Sequence, residues 1–396
     1  MPPLHRLAFP LAALTAVGML ASDLYLPALP VMGRDLGASV TAGQATMAVF
    51  MIALAASQLL WGWCADRYGD RRTIVFGTAL LCGGSVVCAL AAGIDTMLAG
   101  RLLQGLGAGA ATVAVPALIR RRFSETDAVG AMACVAIAES AIPAIGPVIG
   151  AAIVLYGHWR HTFWIIAALA LLLAPLVSRI VGSDPATSAT HNATTATPPA
   201  LLRNGAFMRH VLSYALMFGA LLMFVSSAPQ LVTHWLGMDI RAFALLQILG
   251  VGAFMVGATR GAALVKRHGV GTMLRAGMLM QLAAGALMIA LAVRHEGSSG
   301  AHAAPATLAW LVAAWALFCA GLGVRGPATM SRALSLAHEH AGKAAGLLMF
   351  CAFALCAAAT LGVAPFLKHG LLPVAVLLTA MAALSAALLP EAFRKN

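Results

Sequence analysis

Long apolar runs dominate the chain, and short polar segments separate them. A helix needs about 20 residues to cross the roughly 30 Å hydrocarbon core of a membrane. The pattern therefore predicts twelve transmembrane helices. Their expected ranges are residues 8–30, 42–64, 73–92, 96–118, 129–155, 162–181, 207–230, 242–264, 272–293, 307–330, 341–366 and 371–389.

One polar segment is much longer than the rest. Residues 182–206 are rich in Thr, Ala and Pro, a composition typical of a flexible linker. It divides the chain into two expected six-helix bundles, residues 1–181 and 207–396. The predicted fold class is an all-α integral membrane protein with two pseudo-symmetric halves.

The two halves also resemble each other in sequence. "ADRYGDRR" follows the second span and "VKRHGVGT" follows the eighth, which pairs Gly69 with Gly269 and Arg67 with Arg267. "QGLGAGAA" in the fourth span similarly matches "AGLGVRGP" in the tenth. These matches fall at equivalent positions of six-helix halves, as parallel structural repeats require.

Composition supports a membrane protein and argues against a nucleic-acid partner. Hydrophobic residues make up 61% of the chain and charged residues only 10%, whereas soluble domains carry about 25% charged residues. The net charge of +12 comes from basic residues in short loops. Eighteen Lys and Arg residues fall on one side of the predicted membrane and five on the other. The positive-inside rule then places both termini and the linker in the cytoplasm.

Four motifs resemble those of the major facilitator superfamily, specifically its twelve-span drug:proton antiporters of the Bcr/CflA group. They are "DLYLPALP" at residues 23–30, "GWCADRYGDRRTI" at 62–74, "RLLQGLGAGAA" at 101–111 and "IPAIGPVIGA" at 142–151. The resemblance covers the whole chain, although these motifs lie in its N-terminal half. It implies proton-coupled efflux of small, structurally varied compounds by alternating access, from a bacterial-type inner membrane.

The motif between the second and third spans predicts a conformational latch. Its residues are Gly62, Asp66, Arg67, Gly69 and Arg71. The glycines allow close approach and a tight turn, and the charges meet helix ends in one conformation and separate in the other. A role in topology alone is the alternative. Asp70 stands where the family usually carries a basic residue.

The fifth-span motif predicts a kinked and closely packed helix. Its residues are Gly146, Pro147 and Gly150, and the resemblance implies a helix interface that limits leak in antiporters. Ile142 and Ala151 replace glycines that are usual in the family, so contact at both ends of the motif is expected to be less tight. Simple packing is the alternative role.

Two charges in different spans are expected at similar depth. Asp23 lies about fifteen residues into the first span and Arg101 about five residues into the fourth, which runs in the opposite direction. A charge inside the membrane costs at least about 2.5–3.5 kcal/mol, so an ion pair between Asp23 and Arg101 is expected. Asp23 is a candidate proton carrier, and capping or snorkelling near the span end is its alternative role.

Glu139 and Arg325 also lie within predicted spans. Glu139 lies near the midplane without a basic neighbour in sequence, which favours its neutral form. It either carries the coupled proton, binds a cationic part of a substrate, or donates a hydrogen bond to another helix. Arg325 is either a cavity charge or a side chain that snorkels outward.

The remaining candidates are aromatic and amide side chains in spans that line the cavity in this superfamily. Together with Glu139, the candidate substrate contacts are Tyr25, Gln58, Phe218, Phe224, Gln230 and Phe254. Such groups suit varied, partly apolar ligands. A place in the core or against lipid is the alternative for each.

No other class of function is favoured by the sequence. No metal-ligand cluster, nucleophile–base constellation or GxxxxGK[ST] loop occurs, so we expect no metal, no enzymatic activity and no cofactor beyond protons as the coupling ion. The expected partners are small-molecule substrates and the lipid bilayer, with the chain as a monomer. A porter for a specific metabolite, such as an amino acid, dipeptide or sugar, is the alternative function.

The distribution of basic residues predicts the orientation of the chain. A fluorescent protein that matures only in the cytoplasm, fused after Asn396 or within residues 182–206, should be fluorescent at both positions. A periplasmic alkaline phosphatase fused at the same positions should be inactive. The opposite pattern at Asn396 would contradict the orientation.

Overall fold

The computed structural model describes residues 4–122, 125–181, 199–296, 304–337 and 341–389 of the chain. Within these residues the regular structure is helical, and no strand occurs. The chain forms two compact units, Met1–Ala196 and Thr197–Asn396.

The N-terminal unit contains seven described helices. The first two are separated by a 3₁₀ turn at Leu26–Ala28. The helices are α1 (Leu4–Asp23), α2 (Leu29–Asp35), α3 (Val40–Tyr68), α4 (Asp70–Ala89), α5 (Ile94–Arg122), α6 (Glu125–Tyr156) and α7 (Arg160–Val181).

The C-terminal unit contains six described helices. A π-helical turn at Leu231–Trp235 and a 3₁₀ turn at Ala364–His369 extend two of them. The helices are α8 (Pro199–Arg203), α9 (Gly205–Gln230), α10 (Ile240–Glu296), α11 (Ala304–Leu336), α12 (Ala341–Val363) and α13 (Leu371–Ala387).

The helices account for the twelve predicted spans. Ten stretches of the described chain are long and apolar enough to cross a membrane, and two shorter apolar helices, Arg160–Leu176 and Leu371–Ala387, complete the set. The protein is therefore an all-α, multi-pass membrane protein. The first predicted span, however, is not one helix, because α1 and α2 share the stretch Phe9–Asp35.

The predicted linker lies mostly outside the described residues, which resume at residue 199. Where residues 199–206 are described, they are largely helical, with α8 followed directly by α9. Asn204 caps α9, since its side-chain oxygen accepts a hydrogen bond from the backbone N–H of Phe207 at 3.1 Å. The seventh span therefore begins at Gly205, slightly before the predicted residue 207.

The matched glycines of the two halves adopt the same backbone conformation. Gly69, between α3 and α4, has φ 85° and ψ 160°, and Gly269, where α10 bends, has φ 76° and ψ 160°. Only glycine tolerates this region of φ without strain. The correspondence predicted between "ADRYGDRR" and "VKRHGVGT" thus extends to backbone geometry.

Glycines on one face bring α4 and α5 into close contact. A Cβ atom added at Gly84 would lie 2.5 Å from the backbone nitrogen of Gln104 and 2.9 Å from the carbonyl oxygen of Gly100. The adjacent Gly83 faces open space, with nothing within 4 Å of such an atom. Small residues at helix interfaces permit this approach in membranes.

The neighbouring pair Gly83 and Gly84 provides a test of this packing. Gly84→Ala should lower the free energy of unfolding by about 1–3 kcal/mol, because the methyl group overpacks the α4–α5 contact. Gly83→Ala should be neutral or slightly stabilising, since alanine favours a helix. Unfolding in detergent micelles checks both variants, and equal stabilities would contradict the close contact.

Candidate functional site

The first span breaks at Asp23, the residue that the sequence singled out. α1 ends at Asp23, and the 3₁₀ turn begins at Leu26. Pro27 lacks a backbone N–H and Pro30 lies at the start of α2, so a continuous hydrogen-bond ladder cannot run through this stretch. The break leaves carbonyl groups of the last turn of α1 without helical partners.

Asp23 is half-buried at the carboxyl end of α1. The Ser22 hydroxyl donates a hydrogen bond to its Oδ1 at 3.0 Å. The negative end of the helix dipole lies at this position, which makes an ionised carboxylate costly. The surroundings of Asp23 therefore favour its neutral form over its charged form.

Gly146 and Gly150 of α6 contact the broken segment directly. A Cβ atom added at Gly146 would lie 3.0 Å from Cβ of Asp23, and one at Gly150 would overlap the carbonyl oxygen of Leu24. Pro147, between them, is buried. The predicted close-packed helix is thus present, and its glycine face is seated on the break at Asp23.

Glu139 shares this face of α6. It precedes Gly146 by seven residues, or two helical turns, which corresponds to about 10 Å along the helix. Glu139 is half-buried, and within the described residues no hydrogen bond or ion pair joins it to another side chain. Both intramembrane carboxylates of this unit therefore lie along one side of α6.

Arg101 is not the ion-pair partner of Asp23, and that prediction is wrong. Both side chains are described, yet no ion pair joins them. Instead the fully buried guanidinium lies between two aromatic rings, 4.1 Å from the ring centroid of Tyr25 and 4.1 Å from that of Phe50. Cation–π stacking on two faces stabilises the charge without a carboxylate.

Backbone carbonyls and one amide receive the hydrogen bonds of Arg101. Its Nη1 donates to the carbonyl oxygen of Ala21 at 3.0 Å, in the last turn of α1, and also to Gln104 at 2.5 Å. Its Nε donates to the carbonyl oxygen of Thr46 at 3.4 Å. Arg101 therefore caps the broken end of α1, which explains why it is fixed beside Asp23 but not paired with it.

A buried polar chain extends from this arginine into α4. Gln104 donates to the Ser85 hydroxyl at 2.8 Å, and Ser85 donates to the carbonyl oxygen of Leu81 at 2.7 Å. Sequence reasoning did not identify Gln104, Ser85, Thr46 or Phe50. The spacing of Arg101 and Gln104, one helical turn apart, was the available signal for Gln104.

The far end of α2 is anchored to the loop between α6 and α7. Trp159 donates from its indole nitrogen to Asp35 Oδ2 at 2.8 Å, and His158 lies 3.5 Å from the same oxygen. Arg160 stacks on Trp159 at 4.2 Å and donates to the carbonyl oxygen of Ala91 at 2.8 Å. The broken span is thus held on both sides of its break.

The candidate substrate contacts of the N-terminal unit differ in accessibility. Tyr25 is fully buried, with its ring on Arg101 and its hydroxyl 3.0 Å from the Thr46 hydroxyl. It therefore supports Arg101, and its prediction as a substrate contact is corrected. Gln58 is half-buried and donates to the Thr112 hydroxyl at 3.3 Å, so it keeps a partly accessible amide.

In the C-terminal unit, Phe218 and Phe254 are half-buried and belong to one hydrophobic cluster. Phe218 stacks on Tyr214 with ring centroids 5.7 Å apart and meets Phe353 edge-on at 6.4 Å. Tyr214, Phe218 and Phe353 thus form an aromatic group on α9 and α12, and Phe254 of α10 packs against the same cluster.

The other two candidates in this unit are buried. Phe224 is fully buried and stacks on Trp315 with centroids 4.2 Å apart, so its prediction as a substrate contact is also corrected in favour of packing. Gln230 is buried at the end of α9, and its side-chain oxygen has no hydrogen-bond partner within the described structure. The π-helical turn follows it directly, a feature frequent at functional sites.

Arg325 neither snorkels outward nor lines an open surface. It is fully buried, and its Nη2 donates to the hydroxyls of Ser213, at 3.1 Å, and Ser385. Each serine hydroxyl in turn donates to the other's carbonyl oxygen, at 2.8 and 2.7 Å. In the described structure Nε and Nη1 of Arg325 have no hydrogen-bond partner.

The predicted latch is partly described. Gly69 forms the turn, and Arg67 stacks over Trp63 and Tyr68 at 5.7 and 5.8 Å. Arg71 is half-buried, and the side chain of Asp66 lies outside the described part of the structure. A Cβ atom added at Gly62 would have no described neighbour within 4 Å, so the close approach expected at this glycine is wrong for this structure.

Asp70, the departure from the family pattern, begins α4 and is buried there. A carboxylate in the first turn of a helix meets the positive end of the helix dipole. The substitution is therefore accommodated within the turn itself.

A family model described as "Major Facilitator Superfamily" matches residues 11–361 of the chain. "Multidrug resistance protein MdtL" of Escherichia coli O45:K1 is 32% identical over 240 residues, which cover 59% of this chain and 60% of that protein. The match thus spans less than two thirds of MdtL. "Uncharacterized MFS-type transporter YdgK" of Bacillus subtilis is 26% identical over 86% of this chain and 84% of its own length.

Solved transporter structures share the fold. A POT family transporter in complex with 5-aminolevulinic acid superposes with a TM-score of 0.75 and 14% identity, covering 99% of this chain and 96% of that one. A D-xylose-proton symporter gives a TM-score of 0.72 at 16% identity, covering 97% and 96%. At such low identity these likenesses establish architecture alone.

The contacts of Arg101 lead to a stability test. Tyr25→Leu removes one stacked ring and should cost about 2 kcal/mol of unfolding free energy, as for a desolvated cation–π contact. Tyr25→Phe keeps the ring and loses only the hydroxyl contact with Thr46, a loss of about 1 kcal/mol. Unfolding in detergent micelles measures both variants.

The corrected role of Asp23 supplies the control for this test. Arg101→Gln should be destabilised to the same extent whether or not it is combined with Asp23→Asn, since the two charges are not paired. Restoration of stability in the double variant would instead re-establish an Asp23–Arg101 ion pair.

Proposed function

Because the chain belongs to the Major Facilitator Superfamily of membrane transporters, we propose that it exports small, structurally varied compounds in exchange for protons by alternating access. The observation that carries this proposal is Asp23, a carboxylate at a helix break inside the membrane, which lies against Gly146 of α6. Intramembrane carboxylates at such positions mark substrate or proton pathways. The family makes the chain a transporter of small molecules rather than an enzyme.

One relative and the motif resemblance support drug efflux. The partial match to MdtL, a multidrug resistance protein, favours structurally varied cargo. The grouping with Bcr/CflA antiporters rests on the motif resemblance alone. The alternative, a porter for one metabolite such as an amino acid, dipeptide or sugar, keeps the same fold and is decided by the range of compounds transported.

We assign proton coupling to Asp23 and Glu139. Asp23 contacts α6 at Gly146, two helical turns from Glu139, and neither carboxylate has a basic partner among the described residues. Without a fixed counter-charge, each carboxylate exchanges a proton at a cost set by its surroundings. Arg101 acts indirectly in this scheme, by holding the end of α1 that carries Asp23.

Substrate recognition is assigned to partly accessible groups. Gln58 and Glu139 offer polar contacts in the N-terminal unit, and Phe218 and Phe254 offer aromatic contacts in the C-terminal unit. Flat apolar rings with a few polar groups suit varied ligands. Gln230 is buried, but because its side-chain oxygen has no partner within the described structure we include it as a further polar contact.

The remaining features of the proposal concern placement and control. The chain lies in a bacterial-type inner membrane as a monomer, with both termini and residues 182–206 in the cytoplasm, and it requires no cofactor besides protons. The turn at Gly69, with Arg67 and Arg71, acts as the latch between conformations. This turn joins the end of α3 to the start of α4, whereas Asp23 lies on α1 and Glu139 on α6.

The proposal is tested with purified protein in sealed vesicles that contain a pH-sensitive dye. Addition of cationic and neutral drugs should drive proton movement in wild-type vesicles, and a panel of amino acids, dipeptides and sugars should not. A response confined to one such metabolite would favour the alternative function.

The carboxylates are tested in the same assay. The double variant Asp23→Asn, Glu139→Gln should insert normally, because neutral amides remove charge from the membrane, and should lose drug-driven proton movement. Asp95→Asn, an exposed carboxylate at the start of α5, is the matched control and should behave as wild type. Uphill efflux with unchanged pH dependence in the double variant would place the proton carrier elsewhere.

A further inference from the structure

A cavity of about 560 Å³ opens on the N-terminal unit between α3 and α4. Both helices pack mainly on α5 and much less on each other. Trp61 of α3 donates to the carbonyl oxygen of Leu106 at 2.7 Å, and Gly77 of α4 lies directly against α5. The turn therefore joins two helix ends with a groove between them.

The walls of the groove are apolar along its length and basic at one end. Trp61, Cys64 and Tyr68 line it from α3, at helical spacing on one face, and Arg72, Phe76 and Leu80 line it from α4. The α4 residues follow each other at intervals of four, so Leu80 lies about 12 Å along the helix from Arg72. Among these lining residues, Arg72 places a cation at the end of the groove nearest the Gly69 turn.

The position of the groove relative to the membrane is the one expected for a lipid site. The Gly69 turn lies on the predicted cytoplasmic side, and Trp63 and Tyr68 are half-exposed beside it, as interfacial aromatic residues commonly are. Phe76, one turn deeper than Arg72, is 66% exposed. From Arg72 to Leu80 the groove therefore runs from headgroup depth into the hydrocarbon region.

The charges at this end favour an anionic headgroup. Arg72 is exposed, and Arg67 and Arg71 lie within five residues of it. Arg67 is already stacked on Trp63 and Tyr68, while Asp70 is buried at the start of α4. Basic residues that border a membrane on its cytoplasmic side attract anionic lipids.

We propose that this groove binds an anionic phospholipid of the cytoplasmic leaflet. Its phosphate contacts Arg72, and one acyl chain lies along Cys64, Phe76 and Leu80. The site is independent of the proposed proton carriers, because it lies on α3 and α4 and contains no residue assigned to proton coupling or substrate binding. A lipid in the groove would contact Tyr68 and Arg72, which lie on either side of the Gly69 turn, so lipid binding is connected with this turn.

The test uses the full-length protein in nanodiscs of phosphatidylcholine with a trace of phosphatidylglycerol that carries a photoreactive acyl chain. After illumination, peptide mass spectrometry should locate the label on residues 61–80. Unlabelled phosphatidylglycerol should displace the label far better than phosphatidylcholine. Uniform labelling around the protein, or equal competition by both lipids, would overturn the proposal.

Substitutions separate the headgroup contact from a general attraction to basic surfaces. Arg72→Gln should weaken competition by phosphatidylglycerol about fivefold, the effect expected for one basic residue near anionic lipid, and Arg72→Lys should retain most of the binding. Arg267→Gln, at the equivalent exposed turn of the C-terminal half, is the matched control and should leave the affinity unchanged. Equal effects of Arg72→Gln and Arg267→Gln would contradict a specific site.

A groove-filling variant tests the acyl-chain contact. Cys64→Trp should abolish labelling of residues 61–80 while the melting temperature stays near that of wild type. If this variant is unstable, Leu80→Trp provides the same obstruction from α4. Labelling that persists in a stable filled variant would contradict the proposal. The proposal would also be wrong if another part of the chain, or a second copy of it, occupied the groove and excluded lipid.

Discussion

The break in the first span creates the constraint that organises the N-terminal unit. Inside a membrane, an unpaired backbone carbonyl costs several kcal/mol, because no water is present to satisfy it. The end of α1 at Asp23 leaves such carbonyls, and Arg101 donates a hydrogen bond to one of them, on Ala21. Arg101 in turn requires stabilisation, which the rings of Tyr25 and Phe50 supply.

Because Arg101 does not depend on Asp23 for a counter-charge, Asp23 can gain or lose a proton more easily than it could in an ion pair. A carboxylate bound to a fixed arginine remains charged until the pair is broken, and breaking a buried pair is costly. Arg101 is satisfied by carbonyls, an amide and two rings, so Asp23 can change its charge without leaving a lone cation behind. The contact of Gly146 with Asp23 then places the α1–α6 interface at the proposed proton carrier.

The C-terminal unit accommodates its buried arginine by other means, although the two halves share sequence motifs. Arg325 donates to the hydroxyls of Ser213 and Ser385, which are cross-bonded to each other's carbonyl oxygens. No aromatic pair encloses it as Tyr25 and Phe50 enclose Arg101, among the contacts described. The backbone conformation of the matched turns at Gly69 and Gly269 is therefore the same in both units, whereas the surroundings of Arg101 and Arg325 differ.

Features that depend on local sequence were predictable, and those that depend on tertiary contacts were not. The twelve spans follow from apolar length, and the matched turns follow from glycine at Gly69 and Gly269. The sequence indicated that Asp23 and Arg101 lie at similar depth, and Arg101 does contact the same helix end, at Ala21. Depth alone, however, does not show which groups each side chain contacts. The rings that enclose Arg101 come from the turn after α1 and from α3, and no periodicity in either segment identifies them. Burial of Tyr25 and Phe224 is likewise decided by neighbours on other helices.

The central claim, that Asp23 changes its protonation state without a counter-ion from Arg101, is tested most directly by infrared difference spectroscopy of the purified protein. Addition of a transported compound should remove a carbonyl band of a protonated carboxylic acid, and the band should be absent in Asp23→Asn. In a folded Arg101→Lys variant, addition of the compound should still remove this band, with similar intensity. A wild-type spectrum in which Asp23 is ionised throughout, with no band that depends on it, would contradict the account.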